Sequence, residues 1–415
     1  MTSVAGDVDR SFREHYAELV AVLSHVVGYQ HLAIVEDGVQ SALMKALEAW
    51  TRHGPPANPS AWLYRVARNE VLMALRSGDA HRRLLDAHRA DLEQASDEPP
   101  TAHFPGEVLD ELLRMMLSVC DPALPTPSQI AFALKVLGGF SVNEIAQHLF
   151  TSEENVYKRL QRARAVLRRA DGAVTNLSPA GTAERIPTVR QVLYAMFTEG
   201  HLSVSSTTAL RTELCDEAIR LTTLLARHPL GAAPQSAALL ALMHFHRARM
   251  NARQGPTGGL ALLDEQDRSL WEQDHIVEGI RWLERSAEGD VFTRFHAEAG
   301  IAAEHCRAHT FADTAWERIV DLYDLLEHHA PSPVHRLNRA LAIAEARGPK
   351  AGLASLEGFE PPTWLAGSYL WAAGLADLHR RCGHREAAVE RRSQALASAP
   401  NQAVRALLER RLLID

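Results

Sequence analysis

Residues 138–169, GGFSVNEIAQHLFTSEENVYKRLQRARAVLRR, constrain the fold of this chain more than any other stretch. Ser141 with Glu144, and Thr151 with Glu154, each match the S/T-x-x-E capping box. In that box the hydroxyl accepts a backbone N–H of the first turn and the carboxylate bonds back to the cap N–H. Two helices must therefore start about ten residues apart. Amphipathic spacing predicts that the first buries Val142, Ile145, Ala146 and Leu149, and the second Val156, Leu160, Ala163 and Val166. From Asn155 onward the second helix carries Lys158, Arg159, Arg162, Arg164, Arg168 and Arg169 and no carboxylate, which suits a helix lying beside phosphates in a major groove. An apolar run, Ile130 to Leu137, ends at Gly138-Gly139 in front of this pair, so a third helix is available to pack against it. The outline is a helix-turn-helix; the competing reading is an ordinary αα-hairpin with a solvated basic face.

Charge does not settle the matter globally. The 415-residue chain has a net charge of −7, so any nucleic acid must be held by local patches. Its length predicts two or three domains. The four cysteines, Cys120, Cys215, Cys306 and Cys382, never stand as C-x-x-C, which argues against a zinc ribbon or a disulfide framework and favours a reducing cytoplasm. The opening MTSVAGDVDRSF lacks the pattern of a signal peptide, and no run of eighteen apolar residues occurs, so the expectation is a soluble cytoplasmic protein away from membranes.

Helical periodicity dominates throughout, and no stretch alternates as a strand. The expected class is all-α: two small helical domains, the second a helix-turn-helix, then an array of helical hairpins. An acidic, Pro-containing stretch at 91–106 and a small, polar stretch at 171–187 read as linkers, giving domains of 1–90, 107–170 and 188–415. In the first block Phe12 to Val27 and Ala33 to Trp50 are predicted helices. Asn58-Pro59 opens a third, with Asn as N-cap and Pro at the first helical position. Arg65, Arg68, Asn69 and Arg76 fall within an arc of about 100° on that helix, with Trp62 and Tyr64 beside them. Cations next to aromatics grip single-stranded or melting DNA; equally, Trp62 could be core and the arginines solvated. In the last block LAGSYLWAAGLADLHRRCGHREAAVERRSQALASAPN, from Leu365, reads as a helix to Arg381, a turn at Gly383, a second helix from Glu386 to Ala397 and then Pro400, with the length and the Gly, Ala and Pro placement of a tetratricopeptide repeat (TPR). Trp316 to His329 and Val334 to Arg347 repeat the rhythm, and Ala403 to Leu413 is expected to close the array, whose function would be to present a concave surface.

Three segments in this order resemble the extracytoplasmic-function (ECF) branch of the sigma-70 family, the dissociable subunits that let bacterial RNA polymerase recognise and melt promoters. The run VEDGVQSALMKALEAW resembles the region 2 helix that docks on the clamp of the largest polymerase subunit, with Asp37 and Gln40 at the D-x-x-Q positions. Leu43 sits where an aromatic is common, and Lys45 and Glu36 flank the pair on what is expected to be an exposed surface. The run NPSAWLYRVARNEVLMALR resembles the helix that engages the −10 element, with W-L-x-x-V-A-R-N intact from Trp62 to Asn69. The helix-turn-helix resembles region 4, which reads the −35 element, and a long TPR-like extension marks a particular ECF branch. Glu70, Met73, Ala74 and Ser77 depart from the basic residues and Asp usual after R-N, leaving the −10 helix less cationic than its relatives. The acidic 91–106 stretch fits the connector that threads the polymerase cleft, although composition alone allows a disordered tether.

The resemblance implies a sigma factor whose partners are core RNA polymerase, through its clamp and flap regions, and promoter DNA, with room for an unidentified ligand or protein on the C-terminal block. Ser152, Glu154, Asn155, Lys158, Arg159 and Arg162 are then the −35 candidates; Asn58, Trp62, Arg65, Arg68, Asn69 and Arg76 the −10 candidates; Asp37, Gln40, Leu43 and Lys45 the polymerase candidates. No cofactor, metal or catalytic residue is expected. Against an enzyme, the 21 histidines lack H-E-x-x-H or carboxylate-rich framing, at His244 and His246, at His328-His329, and at His379 with His384. Two other readings are a one-component, ligand-responsive repressor or activator that acts without polymerase docking, and a TPR scaffold that leaves the basic helix idle.

Overall fold

A computed structural model describes residues 4–76, 110–149, 151–169, 178–201, 212–253, 261–400 and 402–413. Every regular element among these residues is helical, as the periodicity predicts. The helices are α1 (Val4–Val27), α2 (Leu32–His53), α3 (Pro59–Arg76), α4 (Glu111–Val119), α5 (Thr126–Leu137), α6 (Val142–His148) and α7 (Glu153–Arg169). They continue as α8 (Pro179–His201), α9 (Thr212–Arg227), α10 (Pro234–Ala248), α11 (Gln273–Ser286) and α12 (Arg294–Arg307). The last seven are α13 (Trp316–His329), α14 (Pro333–Arg347), α15 (Pro349–Ala354), α16 (Thr363–Ala366), α17 (Tyr369–Arg381), α18 (Arg385–Ala397) and α19 (Gln402–Arg411). Internal contacts divide the described residues into two units, one drawn from 1–199 and 216–231, the other from 200–215 and 232–415.

In the first unit α1, α2 and α3 pack side by side. Val20, Leu23 and Val27 of α1, Val35, Val39, Ala42 and Ala46 of α2, and Leu63, Ala67 and Val71 of α3 are buried at helical spacing. Gly38 lets α2 and α3 approach closely, since a Cβ there would stand 2.6 Å from Val71 Cγ2. Asn58 caps α3 as predicted: its Oδ1 accepts from Ala61 N at 3.0 Å.

The helix-turn-helix rests on α5, which packs on α4, and α4 and α5 both pack on α1. Phe132 and Leu134 of α5, Ile145 of α6, and Val156, Leu160 and Ala163 of α7 are buried. Helix α5 ends where the Gly-Gly pair predicts, with Gly139 at φ +65°, a left-handed turn that glycine makes without strain. Helix α8 is a departure from expectation, because it starts inside the stretch read as a linker. Ser178 caps it by accepting Gly181 N at 3.1 Å, and Pro179 takes the first helical position. Thr182, Ile186 and Val189 are buried, and Arg185 pairs with Asp121 at 2.9 Å. The 91–106 stretch and residues 171–177 lie outside the described residues.

The second unit is built around α10, which is buried along nearly its whole length from Ser236 to Phe245 and packs on α11 and α12. Beyond it, neighbouring cores share helices. Helix α14 gives Ala342 and Ile343 to a cluster with Ile301, Ile319 and Val320, and Leu337, Ala340 and Ala344 to the next, with Trp371, Leu375 and Leu378. Helix α17 gives Ala372 and Ala376 to a third cluster, which Val404, Leu408 and Leu412 complete. Each pair buries its faces only against its neighbours, which is the logic of a helical-repeat array.

Candidate nucleic-acid interface

The second helix of the helix-turn-helix, α7, is set by its own cap and by a strut from α6. Asn143 Nδ2 on α6 donates to Glu153 Oε1 at 2.9 Å. The cap lies one residue later than the sequence predicts. Asn155 N donates to Ser152 Oγ at 3.3 Å, while Thr151 accepts through Oγ1 from the Asn155 side chain at 3.3 Å. Glu154 is thereby released from the expected box and pairs with Lys158 at 2.7 Å, neutralising one charge of the basic face. Ser152, Glu154, Asn155, Lys158 and Arg162 are exposed and Arg159 is half-buried, so all six −35 candidates share the start of one helix. The side chain of Arg168 lies outside the described residues.

The next arginine on α7 is turned to a different use. Arg164 Nη2 donates to Glu36 Oε2 on α2 at 3.0 Å. The sequence reading placed Glu36 on an exposed surface; it is 5% exposed. Its burial follows from the docking of α4 and α5 on α1 and of α7 on the short turn Tyr29–His31, which covers this part of α2. Burial drives the Glu36 carboxyl above the ordinary carboxylate range, and the opposing pull of Arg164 does not fully offset it.

On α3 the predicted −10 candidates divide. Asn58, Arg65 and Asn69 are exposed and Arg68 is half-buried, while the side chain of Arg76 lies outside the described residues. Trp62 is half-buried, its ring 5.7 Å from that of Trp50. Tyr64 is not on this face at all: it is 1% exposed, since it shares the core stripe with Leu63 and Ala67. Glu70 faces α2, where its carboxylate accepts from Ser41 Oγ at 2.8 Å and Lys45 Nζ at 2.5 Å, and the Lys45 bond holds its carboxyl below the usual range.

Among the polymerase candidates on α2, Asp37 and Gln40 are exposed, and Gln40 also shares a hydrogen bond with the Tyr16 hydroxyl. Lys45 is exposed but committed to Glu70. Leu43 is buried, on the same stripe as Val39 and Ala46, so its side chain packs into the core of the free protein. Among the described residues, the large apolar side chains exposed on α2 and α3 are Met44, Leu47 and Met73.

Known families match the chain in the same order. The family model of sigma-70 region 2 covers residues 11–81, and that of sigma-70 region 4 covers residues 114–167. The chain belongs to the sigma-70 family. It is an ECF-like sigma factor with a C-terminal extension, and a family of unknown function covers residues 185–287 of that extension. An uncharacterised protein of Rhizobium meliloti is 35% identical over 337 residues, which is 79% of this chain and 78% of the relative, so the likeness continues well past region 4. No solved structure matches this sigma factor. No helix among the described residues is long and apolar enough to cross a membrane.

Two features escaped the sequence reading. The Glu36–Arg164 pair joins residues 128 positions apart and carries no local signal. The start of α8 did carry one, Ser178-Pro179, but it was hidden in a stretch of small polar residues.

Proposed function

We propose that this sigma factor directs promoter recognition by reading the −35 element with the start of α7 and the −10 element with the exposed face of α3. Core RNA polymerase would be held through Asp37 and Gln40 on α2, opposite the clamp, with region 4 toward the flap. The observation that carries the reading is the cluster of Ser152, Asn155, Lys158 and Arg162, exposed together at the start of α7, in a chain that also matches region 2. Phosphate contacts would position the helix, and a few side chains would read base edges; an Arg can fork onto guanine, and a Glu can accept from a cytosine amine. Phosphodiester chemistry belongs to the polymerase, so the sigma factor needs no catalytic residue and works in the cytoplasm.

The C-terminal extension would control these readers in cis. Its first helices support this, because they are tied to region 4 by ion pairs. Arg185 of α8 meets Asp121 at 2.9 Å, and Arg220 of α9 meets Asp110, the N-cap of α4, at 2.5 Å. Run-off transcription with purified core polymerase tests the whole reading. The full chain should transcribe from its promoter, Asp37→Ala with Gln40→Ala should fail to bind core, and Arg159→Ala with Arg162→Ala should bind core yet lose promoter preference. Core binding and promoter choice that survive both double variants would sink it.

A further inference from the structure

The second unit gathers one buried and two half-buried arginines that pair with no carboxylate among the described residues. Arg249, just past α10, is 8% exposed; its Nη2 lies 2.8 Å from His246 Nδ1, and its Nε has no hydrogen-bond partner among the described residues. Arg253, on the short turn Met250–Arg253, contacts His201 Nε2 through Nη1, and its Nε is likewise buried without a partner. Arg268 is anchored through Nη1 to the carbonyl oxygens of His305 at 2.7 Å and Ala308 at 2.6 Å, which leaves Nη2 buried and unpartnered. Its guanidinium lies 4.4 Å from the Trp271 ring centroid, and that of Arg249 lies 5.9 Å from it. The Trp271 indole N–H is buried without an acceptor among the described residues.

The neighbouring Arg247 shows what a satisfied arginine looks like here, for it pairs with Glu272. Arg249, Arg253 and Arg268 make no ion pair among the described residues; Arg268 feels the Cys306 thiol, the Arg249 guanidinium and, more weakly, the Asp313 carboxylate. Burial, with the repulsion of Arg249, pulls the Arg253 guanidinium down to about 10, and burial with two arginine neighbours pulls His305 down to about 3. At neutral pH the imidazole is neutral and the three guanidiniums are charged. Buried charges of one sign are held at high cost unless something of the opposite sign joins them.

We propose that Arg249, Arg253 and Arg268, with the Trp271 N–H, form a binding site for a small phosphate-bearing anion in the C-terminal extension. Guanidinium forks match the oxygens of phosphate, and three of them suit a dianion. Arg249 is too deeply buried for a nucleic-acid backbone to reach, which selects a small ligand; Arg253, Arg268 and His305 are only half-buried and give it an edge to enter by. All four ligating residues fall within residues 185–287, the segment matched by the family of unknown function. The binding does not depend on the sigma reading, although such a ligand would be an effector for the cis control proposed above.

Calorimetry and thermal melting of the full chain test the site directly, without transcription. Inorganic phosphate and pyrophosphate should bind saturably and raise Tm beyond sodium chloride at matched ionic strength. Arg253→Lys keeps the charge but loses the fork and should weaken phosphate binding at least about tenfold. Arg268→Gln, at a more exposed position, should do the same and covers the case in which a substitution at the deeper residues fails to fold. The proposal is overturned if phosphate and pyrophosphate act no differently from chloride, or if both variants bind as the wild type does. Saturable binding of citrate with none of phosphate overturns it too, since the site would then be one for carboxylates.

Discussion

His244 lies buried with its Nδ1 2.8 Å from that of His275, an arrangement that needs one proton between two imidazole nitrogens. Burial, and next the His275 ring, lower its pKa to about 4, while Glu278 pulls weakly the other way. An unfolded histidine titrates near 6.5, so the unfolded chain takes up this proton first. The neutral ring's contribution is complete above about pH 6.5 and is lost as pH falls toward 4, by up to about 3 kcal/mol. Denaturant melts of the full chain should show that loss, and His244→Gln should flatten it; a pH profile unchanged by the substitution would refute the assignment. On α7, Arg162→Ala at a base contact should cost about 1–3 kcal/mol of promoter affinity and relax one promoter position. Lys158→Ala should change less, since Glu154 already engages that ammonium at 2.7 Å. Binding isotherms on a panel of single-base promoter variants separate the two. Leu43→Ala should instead lower stability by about 2–5 kcal/mol through a core cavity. A folded Leu43→Ala protein of normal stability that no longer binds core would instead make Leu43 a polymerase contact.

At the scale of elements, local chemistry made much of the fold legible. The Ser141–Glu144 box formed as its spacing predicts, with Ser141 N donating to Glu144 Oε2 at 2.6 Å and Glu144 N to Ser141 Oγ at 3.1 Å. Asn58-Pro59 and Gly138-Gly139 likewise marked real ends, because caps depend on residues within one turn. Thr151 and Ser152 offered two adjacent hydroxyls, and sequence alone could not choose between them. The burial of Leu43 and Tyr64 was less legible, because it depends on the stripe each shares with core neighbours, Val39 and Ala46 for the first and Leu63 and Ala67 for the second. The arginine cluster of the second unit was illegible, since Arg249, Arg253 and Arg268 meet only after the chain folds back. Helix α19 was foreseen, and its role can be tested. Removing residues 402–415 should uncover Ala372, Ala376 and Ala395 and forfeit the burial of Val404, Leu408 and Leu412, at about 1.5–3 kcal/mol for each aliphatic side chain. Circular dichroism melts should show a lower Tm for that variant. An unaltered melt would mean that α17 and α18 close the array by themselves.

For the whole molecule the pair between Glu36 and Arg164 has a geometric consequence. The two promoter elements are separated by about 25 base pairs, roughly 80 Å along B-form DNA. If α7 reads the −35 element and α2 docks on polymerase, as proposed, a bond between them holds the readers too close to span that length, and the two would have to come apart before both elements are engaged. The bond suits a latch more than a rivet: desolvation of Glu36 outweighs the attraction of Arg164, and such pairs contribute little net stability. Fluorophores placed on α2 and α7 should separate when core polymerase is added, and a constant distance would contradict this. Thermodynamic linkage then works in both directions, because whatever opens the latch favours every partner that needs it open. Polymerase and promoter should each raise the apparent affinity of the protein for the other, so that the free factor passes over promoter DNA that it reads readily once it has joined the enzyme.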